Sequence, residues 1–358
     1  MTFVAFVPEP NCGRGTFDII WACLPTISLS TWTCDHHTVA NAGQLRLKLA
    51  LWLGVFMFPE WQCVKALEEL HDACAFRRAV RKLAAPGWRA FTLRQAFLFL
   101  LGGLRFDEVS DYDTRGAYPT YADRFLTAAA TRRVQPCDVP TDEQIKRRCK
   151  TDSLAKGIAM LQALWFVLTL FSRLVERLTV SPLEFVTMSY VLCGLIMYVA
   201  WFKSPQGVEE PFDVMGKDTP LQGEQKLEFL SAEVEGMKCI SNIKKAAIGT
   251  ILFLVFAGIH LASWNYPFPT QVEVYLWRVS VLGTLVFGEL TFLFKELCTE
   301  IPFNPRHDLK TWTLSIFFLF YVICRLGIIT LLTMAFRWAP EGIYSSVDWS
   351  MYWGHWGG

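Results

Sequence analysis

The stretch Thr311–Phe336, TWTLSIFFLFYVICRLGIITLLTMAF, is almost wholly apolar. At about 1.5 Å rise per residue, a helix of that length crosses a bilayer core of about 30 Å with some tilt. One residue breaks the pattern. Arg325 lies near the middle of the run, where a guanidinium cannot snorkel to an interface. A charge at that depth costs at least about 2.5–3.5 kcal/mol on insertion scales, so it requires a partner or a polar cavity. Apolar spans interrupted by a few ionisable groups recur along the chain, and they predict an all-α fold: a polytopic transmembrane helix bundle of about seven spans. Only 19% of the residues are charged and 53% are hydrophobic, whereas a soluble domain carries about 25% charged residues. The chain is expected to be an integral, multi-pass membrane protein with the lipid bilayer as its first partner.

The spans fall near Phe17–Cys34, Leu49–Leu67, Leu154–Leu174, Leu183–Phe202, Ala246–Trp264, Tyr275–Leu297 and Thr311–Phe336. Pro25 and several hydroxyls interrupt the first, which a membrane helix tolerates when Ser/Thr side chains and neighbouring helices satisfy the freed backbone groups. Residues 68–153 form a cytosolic insertion. Within it FTLRQAFLFLLGGLRF, near 91–106, is short and Arg-flanked for a span and reads as an interfacial or re-entrant helix; an eighth crossing there would flip one end. Later in the insertion Thr141 and Gln144 have the spacing of a capping box. No basic stretch followed by an apolar run opens the chain, so the first span is expected to do the targeting. Connections at 67–153, 203–245 and 298–310 hold nearly all the loop Lys and Arg, and that at 265–274 holds none. With seven spans, this bias places the N-terminus in the cytosol and the C-terminal tail in the lumen or outside.

Other classes are excluded or unsupported. A net charge of +1 supplies no field for nucleic acid, and no such partner is expected. The 11 cysteines contain no CxxC pair. They fit small apolar residues in membrane helices better than a zinc or disulfide framework. No Asn-x-Ser/Thr acceptor occurs. No P-loop, Gly-x-Ser-x-Gly or His-Glu-x-x-His motif is present, so no cofactor class is indicated.

Three stretches together, CGRGTFDIIWACLPTISLSTWTC, PTDEQIKRRCKTDSLAKGIAMLQALWFVLTLFSRLVERLTVSPLEF and GIHLASWNYPFPTQVEVYLWR, resemble a family of fungal multi-pass membrane proteins. The likeness runs in order from about Cys12 to the DWSMYW tail. Most members of that family are uncharacterised and some are associated with secondary metabolism. The resemblance implies a fungal membrane protein of a kind sometimes associated with secondary metabolism; an endomembrane is the favoured location.

Four residues are candidates for chemistry. Arg325 and Glu289 bury opposite charges in neighbouring spans, offset by roughly two turns; they read equally as a structural ion pair and as a functional site. His260 sits beside the loop NYPFPTQVE, where it can hold a ligand or move a proton, although a helix–helix hydrogen bond is the commoner role. Glu60 follows Pro59 inside the second span, and a carboxylate beside a Pro break can face a cavity. Asp35-His36-His37 reads weakly as a metal site, because adjacent side chains point in different directions. The DEVSDYD carboxylates, Asp107, Glu108, Asp111 and Asp113, lack DDxxD spacing and read as a solvated loop. Three function classes follow. The first is a membrane-embedded enzyme or accessory protein acting on a lipophilic small molecule such as an isoprenoid. The others are a small-molecule transporter or channel, against which the lack of an internal repeat counts, and a scaffold without chemistry. Membrane-protein partners fit all three.

Overall fold

The computed structural model describes residues 2–7, 13–33, 45–83, 86–106, 125–126, 128–130, 134–149, 153–208, 210–214, 242–298 and 307–349. The Asp35-His36-His37 run, the DEVSDYD carboxylates and the tail from residue 350 lie outside the described residues. The chain is an all-α helical bundle. Helices α1 (Thr16–Thr33), α2 (Leu45–Met57), α3 (Pro59–Arg81), α4 (Leu93–Leu100) and α5 (Asp142–Arg148) form its first half. Long helices α6 (Ser153–Val175), α7 (Pro182–Ala200), α8 (Asn242–Leu261), α9 (Gln271–Cys298) and α10 (His307–Met334) form the second. Among the described residues, five helical stretches are long and apolar enough to cross a membrane: Gly157–Val175, Pro182–Ala200, Lys244–Leu261, Gln271–Glu296 and Lys310–Met334. Their outward faces carry bare apolar side chains, such as Leu161 and Phe171 on α6 and Trp312 and Leu319 on α10. Such surface is suited to lipid.

The helix ends follow local chemistry. Ser181 caps α7, with Pro182 at its first position and the Glu184 carboxylate reaching back to the Ser181 N–H. Thr141 and Gln144 form the expected capping box of α5. The expected second span, 49–67, is not one helix. Pro59 has no N–H to continue the ladder, Phe58 leaves helical geometry at φ −135°, and α2 stops where α3 begins.

The segment near 91–106 is helical only over Leu93–Leu100; Gly102 then turns at φ +71° into β2 (Leu104–Phe106). Its apolar residues Ala96–Phe99 are covered by protein, with Phe99 stacked on Phe76 of α3 at 4.3 Å. β2 pairs in parallel with β3 (Phe212–Val214).

Helix directions follow from paired contacts. Arg14, just before α1, meets Glu184 at the start of α7, and Ser30 later in α1 faces Gly194 later in α7, so the two run parallel. Cys63 Sγ donates to the Cys193 carbonyl at 3.5 Å and Trp201 Nε1 to Glu69 at 2.8 Å, which sets α3 parallel to α7. α9 and α10 are antiparallel: Gly327 lies against Ser280, Gly283 against Cys324, and the Phe287 and Phe320 rings stack. Small residues let such backbones approach closely. The tightest case is Gly249 of α8, where an added Cβ would sit 1.9 Å from a Phe292 ring carbon of α9. Gly249→Ala is therefore expected to lose about 1–3 kcal/mol through overpacking. Adding Phe292→Leu is expected to recover part of it, read as the midpoint of a denaturing-detergent titration.

One expectation is corrected by a pair of short strands. β1 (Phe3–Ala5) pairs antiparallel with β4 (Trp338–Pro340), in the register Phe3↔Pro340, Val4↔Ala339, Ala5↔Trp338. The segments before α1 and after α10 thus meet at one end of the bundle, where the charge bias and seven spans had set the N-terminus and the tail on opposite sides. Loop charge reports each connection separately and does not reveal that two distant segments pair.

Candidate functional site

The break between α2 and α3 gathers one set of polar groups in the bundle interior. Ending α2 at Met57 frees backbone carbonyls, and side chains of α7 and α10 take up two of them. Arg325 of α10 donates from Nε to the Met57 carbonyl at 3.2 Å and from a terminal nitrogen to Glu60 Oε2 at 3.5 Å. One turn before it, Tyr321 donates its hydroxyl to Glu60 Oε1 at 2.5 Å. Tyr190 of α7 donates to the Phe56 carbonyl at 2.5 Å. Arg325, Glu60 and Tyr321 are all at most 2% exposed. The Arg325 guanidinium also lies 4.6 Å from the centre of the Phe256 ring, a cation–π contact that helps a buried charge.

His260, one turn beyond Phe256 on α8, packs its ring 4.6 Å from that phenyl ring. Its Nδ1 lies 2.8 Å from the Phe256 carbonyl, which can only accept, so Nδ1 carries the proton. Nε2 is then a lone-pair acceptor, and it is buried without a hydrogen-bond partner among the described residues. Three of the four residues singled out from the sequence are therefore linked: Glu60 pairs with Arg325, and His260 packs on the same Phe256 ring as Arg325.

Glu289 does not join them. The expected Arg325–Glu289 pair is replaced by Arg325–Glu60, and Glu289 takes the Thr250 hydroxyl on the α8–α9 face instead. Depth along each span had suggested the first pair; which helix α10 faces at Arg325 decided the second. Tyr321 and Tyr190 were not anticipated. Tyr321 did carry a signal, because it lies four residues before Arg325 and so shares its helix face.

A second buried charge cluster closes the end of the bundle where β1 meets β4. Glu184 accepts two bonds from Arg14, at 2.6 and 3.0 Å, and Arg173 Nε lies 3.8 Å from it. Arg173 also donates to the Ser345 and Thr179 carbonyls, each at 2.6 Å, and Arg14 to the Ile343 carbonyl at 2.7 Å. All partners are structural groups of the chain, so the cluster fastens segments together. Arg278, near the same end, lies over the Trp264 ring at 4.9 Å.

At the opposite end, beyond the broken span, burial pushes the carboxyls of Glu68, Glu69 and Asp72 up. Lys245, Lys65 and His71 respectively oppose the shift. Among the described residues no group of three or more His, Cys, Asp or Glu side chains has the arrangement of a metal site.

Fold and site together define a membrane-embedded α-helical bundle with an ionic centre built on a broken helix. The profile of a family of unknown function (DUF8562) matches residues 1–247, more than half of the chain, and the protein belongs to that family. Comparison with curated proteins and with solved structures returns no match.

Proposed function

We propose that this is a fungal membrane protein of secondary metabolism, an embedded enzyme or accessory protein that acts on a lipophilic metabolite such as an isoprenoid. The observation that carries the reading is the cluster of Glu60, Tyr321 and Arg325, joined to His260 through the Phe256 ring, with His260 Nε2 buried and without a partner among the described residues. An acceptor there can take a hydrogen bond from a hydroxyl of a lipophilic ligand, or a proton from it. The fixed Arg325–Glu60 pair supplies a preorganised field that low-dielectric surroundings strengthen. The metabolic part rests on the family resemblance in sequence, and the chemical part on this geometry.

Translocation of a small molecule is the second reading, favoured by one observation. Discontinuous helices with polar ends at mid-bundle are the device around which many transporters build their sites.

The test is lipophilic-metabolite profiling of a fungal host expressing the protein, beside His260→Phe at matched membrane levels. Phenylalanine keeps the ring packing and removes Nε2. A compound made or consumed with the natural protein and unchanged with His260→Phe is the expected result. Identical profiles from two folded proteins would remove the embedded-enzyme reading and leave transport.

A further inference from the structure

We propose that the chain crosses the membrane six times and that α2–α3 is a re-entrant hairpin, entering from the basic face and returning to it. The Glu60 centre is then served from the cytosolic side, while the two terminal segments close the opposite side.

The closed end is defined by contacts that tie distant segments together. Arg14 N–H donates to the Tyr344 carbonyl at 2.9 Å, and Glu341 N–H to the Thr2 carbonyl at 3.0 Å. Arg173, near the end of α6, donates to Ser345; Arg337, just after α10, pairs with Glu273 near the start of α9 at 2.7 Å. Thus α1, α7 and α9 begin at this end, and α6, α8 and α10 finish there. α1 leaves the end and α6 comes back to it, so everything between them starts and stops at the far end. α2 and α3 together make no net crossing.

Their depth follows from their partners. Trp52 of α2 donates to Thr31, near the far end of α1, at 2.9 Å. Phe56 stacks on Tyr190, midway along α7, with ring centres 5.8 Å apart. Glu60 opens α3 against Arg325, well inside α10. α3 then climbs back: Cys63 meets Cys193, Glu68 meets Lys245 at the start of α8 (3.6 Å), and Glu69 meets Trp201 just past α7. The turn of the hairpin is therefore at mid-depth and both ends are at the far end. Its charges match its half-helix ends: Arg325 faces the carbonyl terminus of α2, and Glu60 lies in the first turn of α3. Lipid-depth backbone of this kind is tolerated where protein groups satisfy it, as they do here.

Charge bias gives the side. At the closed end, the Lys and Arg outside helices are Arg14, Arg177 and Arg337, and residues 262–270 have none. Among the described residues the far end holds Arg89 and Lys203, and by sequence the connections 82–141, 201–241 and 299–306, which join elements that stop and start there, carry many more Lys and Arg. The far end is cytosolic by the positive-inside rule, and both terminal segments are on the other face. Only the access of the centre rests on the proposed site; the crossings do not.

Glycosylation mapping in the full chain tests this directly, because no natural acceptor is present to confuse it. An acceptor tag is fused to the N-terminus, fused to the C-terminus, or inserted in 34–44, 107–124 or 215–241, one at a time. Modification of both terminal tags and of none of the insertions is expected. Modification at 34–44 with an unmodified N-terminal tag would restore seven crossings and overturn the hairpin. Terminal tags on opposite sides would do the same. Either result leaves the metabolite experiment untouched, so the two proposals fail separately.

Discussion

Replacing Arg325 with Leu is expected to lower stability by about 3–5 kcal/mol, because it leaves Glu60 as a buried carboxylate without its cation. It also removes the donor to the Met57 carbonyl, where the backbone is already broken. Glu60→Gln in the same chain removes the orphan charge, keeps an acceptor for Tyr321, and is expected to restore most of the loss. Glu289→Gln serves as the control. Glu289 bonds to Thr250 and shares no partner with Arg325, so its effect should add to that of Arg325→Leu within about 0.5 kcal/mol. The cycle is read from unfolding midpoints in a denaturing-detergent titration. Coupling of Arg325 to Glu289 and not to Glu60 would show that the centre is built on the other carboxylate.

Glu184→Gln is expected to have an effect of the same size at the closed end. One carboxylate there stands between two guanidiniums, and its removal leaves the partly buried Arg14 and the fully buried Arg173 beside each other. Breaking a buried pair in this way costs about 3–5 kcal/mol. Gln still serves in a capping box, so this variant isolates the charge. Glu184→Ala adds loss of the reach back to Ser181, for about 1 kcal/mol more, a cost like that of losing a cap. Because Arg14 holds the N-terminal segment against Ile343 and Tyr344, both variants should also expose that segment to limited proteolysis before the bundle unfolds. A Glu184→Gln protein with unchanged midpoint and unchanged cleavage would mean that β1–β4 pairing alone holds the segments together.

Much of this architecture was legible in one dimension. An apolar run long enough to cross a bilayer is a property of consecutive residues, and so the long helices lie within a few residues of where the pattern sets them. Caps are equally local, which is why Thr141 and Gln144 could be paired from their spacing. Pro59 announced a disturbance in the second span because the missing N–H acts on its own helix. Arg325, His260 and Glu60 stood out for the same reason: each is a costly group in an apolar run, whatever surrounds it.

Partners were a different matter. Glu289 and Glu60 are both carboxylates that α10 could have faced, and depth along a span cannot tell them apart. The choice depends on which helix packs beside Arg325, and that is settled by small-residue contacts such as Gly327 on Ser280 and by Phe58 and Tyr321 stacking at 5.6 Å. The closed end is more remote still. Arg14 and Ile343, or Phe3 and Pro340, are separated by most of the chain, and nothing in either stretch encodes the other. The sequence by itself therefore determined that this is a membrane helix bundle with buried charges needing partners. Tertiary structure alone decided which charges neutralise one another, that a broken helix holds the centre, and that the segments before α1 and after α10 meet at one end of the bundle. Hydrophobic periodicity and charge cost act through neighbours along the chain, whereas pairing acts through neighbours in space.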